Sequence, residues 1–141
     1  MKKISHYIRL IPAWVSTGVC LAAILWATLS PAPAGDLDVP MFPGADKVVH
    51  AVMFGALTLC GCFDLGVVLR EKKRHEGLMT PWIVAAAATL AGIGIEYLQL
   101  AMRLGRSFEP ADMLADFAGA AAAAAVVSIS IVYRKKHTPR Q

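Results

Sequence analysis

Four apolar runs, each close to the roughly 20 residues that carry a helix across a bilayer, constrain this chain more than any other feature. They extend from about Ile11 to Leu29, Val48 to Leu69, Trp82 to Met102 and Ala111 to Tyr133. A soluble domain of 141 residues would have one core and a polar surface, not four such segments. The chain is 57% hydrophobic and 17% charged, whereas ordinary soluble domains are about 25% charged. An open strand would leave backbone groups unpaired in lipid, so each run is expected as a helix. The expected fold is an all-α membrane protein, a four-transmembrane-helix bundle making one domain over residues 1–141.

Basic residues orient such a bundle. Lys2, Lys3 and Arg9, then Arg70, Lys72, Lys73 and Arg74, then Arg134, Lys135, Lys136 and Arg140 flank the runs in three segments that the positive-inside rule places in the cytoplasm. Both termini are then inside. The loop from Ser30 to Ala45, with Pro31, Pro33, Pro40 and Pro43, and the loop holding Arg103, Arg106 and Glu109 face outward. A bacterial cytoplasmic membrane fits this pattern. The Ala32-Pro33-Ala34 stretch imitates a signal-peptide cleavage site, but the first run exceeds the roughly 7 to 15 apolar residues of a signal peptide and is expected to be retained. Small residues, Gly92 and Gly94 in the third run and Gly119 with Ala120 to Ala125 in the fourth, predict close helix packing.

The net charge of +4 does not point to nucleic acid, because Lys and Arg fall in short clusters between apolar runs and not along one amphipathic face. Cys60 and Cys62 point in different directions on a helix, which argues against a metal site at this C-x-C. His6, His75 and His137 read as solvated surface residues, and Trp14, Trp26 and Trp82 as interfacial anchors, with packing inside the bundle an equal alternative for Trp14 and Trp26. Asp64 is expected to pair with a basic loop residue at the cytoplasmic end.

The remaining ionisable groups gather at the outer end. Such groups cost several kcal/mol in a membrane unless paired or hydrated, which makes each a functional candidate. Asp46 and His50 share a face of the second helix, continued by Phe54. Glu96, Gln99 and Arg103 form a stripe on the third, and Asp112, Asp116 and Gly119 another on the fourth. The alternating direction of the helices brings the three stripes to one side. With a rise of 1.5 Å per residue, His50, Glu96 and Asp116 lie about 5 to 10 Å below their helix ends, at the level of lipid phosphate esters. Bland roles compete with this: Asp46 as an N-cap, Asp112 at a helix N-terminus, Arg103 snorkelling to the surface.

Asp46-Lys47-Val48-Val49-His50, Glu96-Tyr97-Leu98-Gln99, Arg106-Ser107 and the run from Asp112 through Asp116 to Gly119 resemble, in order and spacing, the motifs of the VanZ-like family. The likeness covers about Asp46 to Gly119, with Asp116 where the family pattern usually has Asn. The resemblance implies a four-helix bacterial membrane protein, of a kind proposed to act on lipid head groups. Some relatives are associated with resistance to the glycopeptide teicoplanin.

Two functions remain open at this level. The first is phosphoester chemistry on a lipid or lipid-linked cell-envelope precursor. His50 would be general base or nucleophile, Asp46 or Asp112 would orient it, and Glu96 would be an acid. Lys47 and Arg106 would bind phosphate oxygens, with Gln99 and Asp116 beside the substrate. The second is a non-catalytic cluster that binds or shields envelope lipids or glycopeptides, or that fixes helix register. No H-x-x-x-H spacing marks a metal site, so no metal ligand is assigned; Asp46, His50 and Asp112 are the combination left open to one. The cofactor and the oligomeric state are unknown from the sequence. The expected partners are membrane lipids or lipid-linked envelope precursors, with no nucleic acid.

Overall fold

Hydrocarbon offers no partner to a peptide N–H or C=O, and a helix solves this by bonding each group within its own segment. A computed structural model describes residues 12, 14–30, 43–72, 77–102 and 109–137. Their helices are α1 (Val15–Leu29), α2 (Ala45–Glu71), α3 (Thr80–Met102) and α4 (Pro110–His137). α2, α3 and α4 have 27, 23 and 28 residues and are long and apolar enough to cross a membrane. α1 has 15 residues and is a shorter apolar helix than the expected run from Ile11. Ile11 and Ala13 lie outside the described residues. The described chain therefore holds three candidate spans and one shorter helix.

Capping chemistry explains why two helices overrun their apolar cores. α2 begins at Ala45 because Gly44, with φ 87°, takes the left-handed N-cap conformation that glycine adopts without steric cost. Asp46 is therefore not the cap. It sits in the first turn, where a carboxylate is favoured by the positive end of the helix dipole. α4 starts on Pro110, whose missing N–H costs nothing at that position. Its last turn carries Arg134, Lys135, Lys136 and His137, cations suited to the negative end, and it runs past Tyr133.

α4 packs most extensively on α2 and then on α3, while α1 rests mainly against α2. Ile24, Phe54, Leu57, Ala85, Ala88, Ile95, Ala120 and Ala124 form the buried core. Alanines fill much of it because small side chains let helix axes approach, and in lipid packing replaces the hydrophobic drive between helices. Gly92 is buried as expected, but Gly94 faces outward with open space around it. Val19, Trp26, Val52, Ile83, Leu90, Leu114 and Ile129 are exposed, an outer surface suited to acyl chains. Thr28, Thr58 and Thr89 satisfy their hydroxyls on the carbonyl four residues back, so these hydroxyls are accommodated within apolar helices.

Candidate functional site

The site begins with a close approach of two backbones. A Cβ at Gly119 of α4 would run into the main chain of Ala51 on α2, and one at Gly55 would lie 3.3 Å from the Gly119 carbonyl oxygen. Glycine at 119 is what lets α2 and α4 touch here. Next to this contact His50 Nδ1 and Asp116 Oδ1 stand 2.9 Å apart, both residues being buried. α3 makes room for the pair: a Cβ at Gly92 would meet Asp116 Oδ2 and come within 3.0 Å of Phe54.

Two more carboxylates stand near the imidazole. His50 Nε2 is 3.9 Å from Asp112 Oδ2, beyond hydrogen-bond length. His50, Glu96 and Asp112, one from each of α2, α3 and α4, each offer an atom within 4.8 Å of the others. Glu96 is 1% exposed. Its carboxylate takes a hydrogen bond from the backbone of Glu109, while its Oε2 has no hydrogen-bond partner among the described residues.

Lys47 closes the cluster on the outer side. Its ammonium lies 2.6 Å from Asp46, 2.8 Å from Glu109 and 3.2 Å from Asp112. Asp112 thus belongs both to the Lys47 network and to the group around His50. Such an arrangement can hold a proton donor and acceptor at a fixed spacing, or share a cation among three helices.

Several placements differ from the sequence expectation. Asp116, expected beside the substrate, is the residue that holds His50 Nδ1. Asp46 instead turns outward to Lys47, its side chain 52% exposed. Gln99 leaves the Glu96 stripe, since its amide donates to the Thr28 carbonyl of α1 at 2.8 Å. Arg103 and Arg106 lie outside the described residues.

Asp64 pairs with no basic loop residue among those described. It is buried and accepts hydrogen bonds from the Ser16 hydroxyl and from the backbone N–H and hydroxyl of Thr17, at 2.9 and 2.7 Å for Thr17. The start of α1 thus supplies hydrogen-bond donors to the carboxylate, the Thr17 amide among them. Ser16 and Thr17 went unremarked in the sequence, although hydroxyls and Asp64 near the same end of adjacent apolar runs are a usable signal. Glu109, the outer partner of Lys47, carried no signal beyond its place before Pro110.

A family model described as VanZ/LLP1 matches residues 2–132. The chain belongs to the VanZ/LLP1 family. The match extends well past the motif region and takes in α1 and most of α4. No curated protein and no solved structure gives a significant match to the chain. In this VanZ/LLP1 chain the motif residues described on α2, α3 and α4 lie at one end of the bundle, with the Gly119 contact beneath them.

Proposed function

We propose that this VanZ/LLP1-family protein acts on the phosphate-containing head group of a lipid or lipid-linked cell-envelope precursor. In this reading it spans a bacterial cytoplasmic membrane four times, with both termini inside and the His50 cluster at the outer face. The observation that carries the reading is the buried His50 and Asp116 pair, with Asp112 3.9 Å from the opposite ring nitrogen and Glu96 in the same cluster.

With Asp116 accepting from Nδ1–H, the lone pair of His50 lies on Nε2. That nitrogen takes the proton from a water or an acceptor hydroxyl as its oxygen attacks phosphorus. The bond from phosphorus to the leaving oxygen breaks, and Glu96 supplies that oxygen with a proton. Hydrolysis and head-group transfer differ only in the attacking oxygen. Arg106 and Lys47 are the phosphate ligands of the proposal, Lys47 giving up one of its carboxylates to do so.

An open groove of about 790 Å³ supports a lipid substrate. It starts at Lys47 and Val48 and follows the α2–α4 seam past Ala51, Gly55 and Ala122 to Val126. Its walls are apolar and Lys47, paired with carboxylates, stands at one end, so a phosphate there would have to displace a carboxylate while the acyl chain lies along the seam.

The engagement of Lys47 by three carboxylates favours a second reading, in which the cluster binds or shields an envelope lipid or glycopeptide without reacting. Purified protein incubated with labelled envelope lipids, with head-group release or exchange followed by mass spectrometry, separates the two. Turnover that disappears in His50→Ala supports the enzyme. Saturable binding without turnover supports the second reading, and neither binding nor turnover overturns both.

A further inference from the structure

We propose that His50, Glu96 and Asp112 form a site for one divalent transition-metal cation, held where α2, α3 and α4 meet. A cation held there would occupy His50 Nε2 and Glu96, so the metal-loaded form is an alternative to the metal-free acid–base step above, and metal binding is read whether or not any lipid is processed.

Three independent observations meet at this point. One donor atom from each residue lies within 4.8 Å of the other two. A zinc ion bound about 2.0–2.2 Å from each donor holds its ligands roughly 3.5 Å apart, so side-chain movements of about an ångström complete the shell. Glu96 is 1% exposed and its Oε2 lacks a hydrogen-bond partner among the described residues. A buried carboxylate oxygen of that kind is costly until a cation or a proton reaches it. Asp112 Oδ1 also lacks a hydrogen bond there, though it is 3.2 Å from the Lys47 ammonium.

The third observation is the orientation of the imidazole. Asp116 holds Nδ1 at 2.9 Å, which leaves Nε2 on the side of Asp112, with Glu96 in the same cluster. A carboxylate behind a histidine, with the free ring nitrogen facing oxygen donors, is how metal-binding histidines are fixed in tautomer and direction. The 3.9 Å between Nε2 and Asp112 Oδ2 is long for a hydrogen bond and suits two ligands of one ion. Asp46, Glu109 and Asp112 also cluster, but the Lys47 ammonium already sits among those three carboxylates. One imidazole with two carboxylates selects a zinc- or manganese-like ion over calcium or magnesium, which favour all-oxygen shells. Three protein ligands leave a fourth position open.

Full-length protein purified in detergent, stripped with a chelator and dialysed against Zn²⁺ or Mn²⁺, tests the site. The expected result is one equivalent bound per chain, with a raised thermal midpoint. Glu96→Gln and His50→Ala should weaken binding more than Asp116→Ala, which loses about 10- to 100-fold. His137→Gln, on the exposed last turn of α4, should bind as the unaltered protein does. X-ray absorption of the zinc-loaded unaltered protein needs no variant to fold: it should show one imidazole nitrogen with carboxylate oxygens at about 2.0–2.2 Å. No bound metal, unchanged affinity in Glu96→Gln, or a sulfur shell from the cysteines would overturn the proposal. A site that persists in protein inactive on every lipid leaves it standing while removing the enzyme reading.

Discussion

Gly119 of α4 lies against the main chain of Ala51 on α2 with no space for a β-carbon between them. Because His50 precedes Ala51 and Asp116 precedes Gly119 by one turn, this contact sets the distance across which their side chains meet. Gly119→Ala should push the helices apart, destabilise the bundle by about 1–3 kcal/mol and separate His50 from Asp116. A lowered thermal midpoint together with lost head-group activity is the expected outcome. Ala122→Gly on the same helix should not couple the two effects.

Asp116 acts on His50 as a hydrogen-bond acceptor, so shape matters there before charge. Asp116→Asn retains a carbonyl oxygen for Nδ1–H and should keep the fold, with activity within a few-fold of the parent. Asp116→Ala leaves the ring nitrogen unpaired in a buried site, at about 1–3 kcal/mol, and should lose most activity. Paired thermal unfolding and lipid-turnover measurements on the two variants check this, and equal damage from both would show that the charge is what counts.

Asp64 fastens α1 to α2 at the end of the bundle away from His50. Asp64→Ala should loosen α1 by about 1–3 kcal/mol. The thiols of Cys20 on α1 and Cys60 on α2 lie within hydrogen-bonding reach of each other, so the rate of oxidative cross-linking between them reports the docking. Cross-linking should slow in Asp64→Ala, while Asp64→Asn should leave activity at the other end unchanged.

The topology of the proposed function has a direct test. A reporter fused after Gln141 should be active in the cytoplasm, and one inserted beside Asp38 should be active outside. The reverse result would put the His50 cluster on the cytoplasmic face and remove its access to an external substrate.

Apolar length and charge were enough to find each described helix, though not the shortness of α1, because the bilayer's demand for paired backbone groups is the same at each residue of a run. Helix ends were less legible, since they depend on local chemistry: Gly44 starts α2 before Val48, and the cations after Tyr133 extend α4. At the site, spacing placed His50, Glu96, Asp112 and Asp116 at one end of the bundle. Spacing along a helix says nothing of how helices are rotated against each other. The rotation gave Asp116 to His50, sent Asp46 to Lys47 and turned Gln99 to Thr28. The start of α1 as a hydrogen-bonding partner of Asp64 was not legible, because which helix end faces a buried carboxylate depends on tertiary packing.

α1 is tied to the rest by polar contacts at both ends, through Asp64 to Ser16 and Thr17 and through Gln99 to Thr28, across separations of 47 to 71 residues. In the proposed four-span topology, a chain made from its amino terminus inserts α1 before either anchor has been synthesised. Until then the Ser16 and Thr17 hydroxyls must find other partners, so α1 waits in the bilayer as a loose segment. Its docking is consequently a late event in biogenesis, and it acts as a check on assembly: only a bundle with α2 and α3 already in register offers both acceptor and donor at the right depth. Variants that misplace either helix should accumulate with α1 still open to proteolysis or lateral exchange.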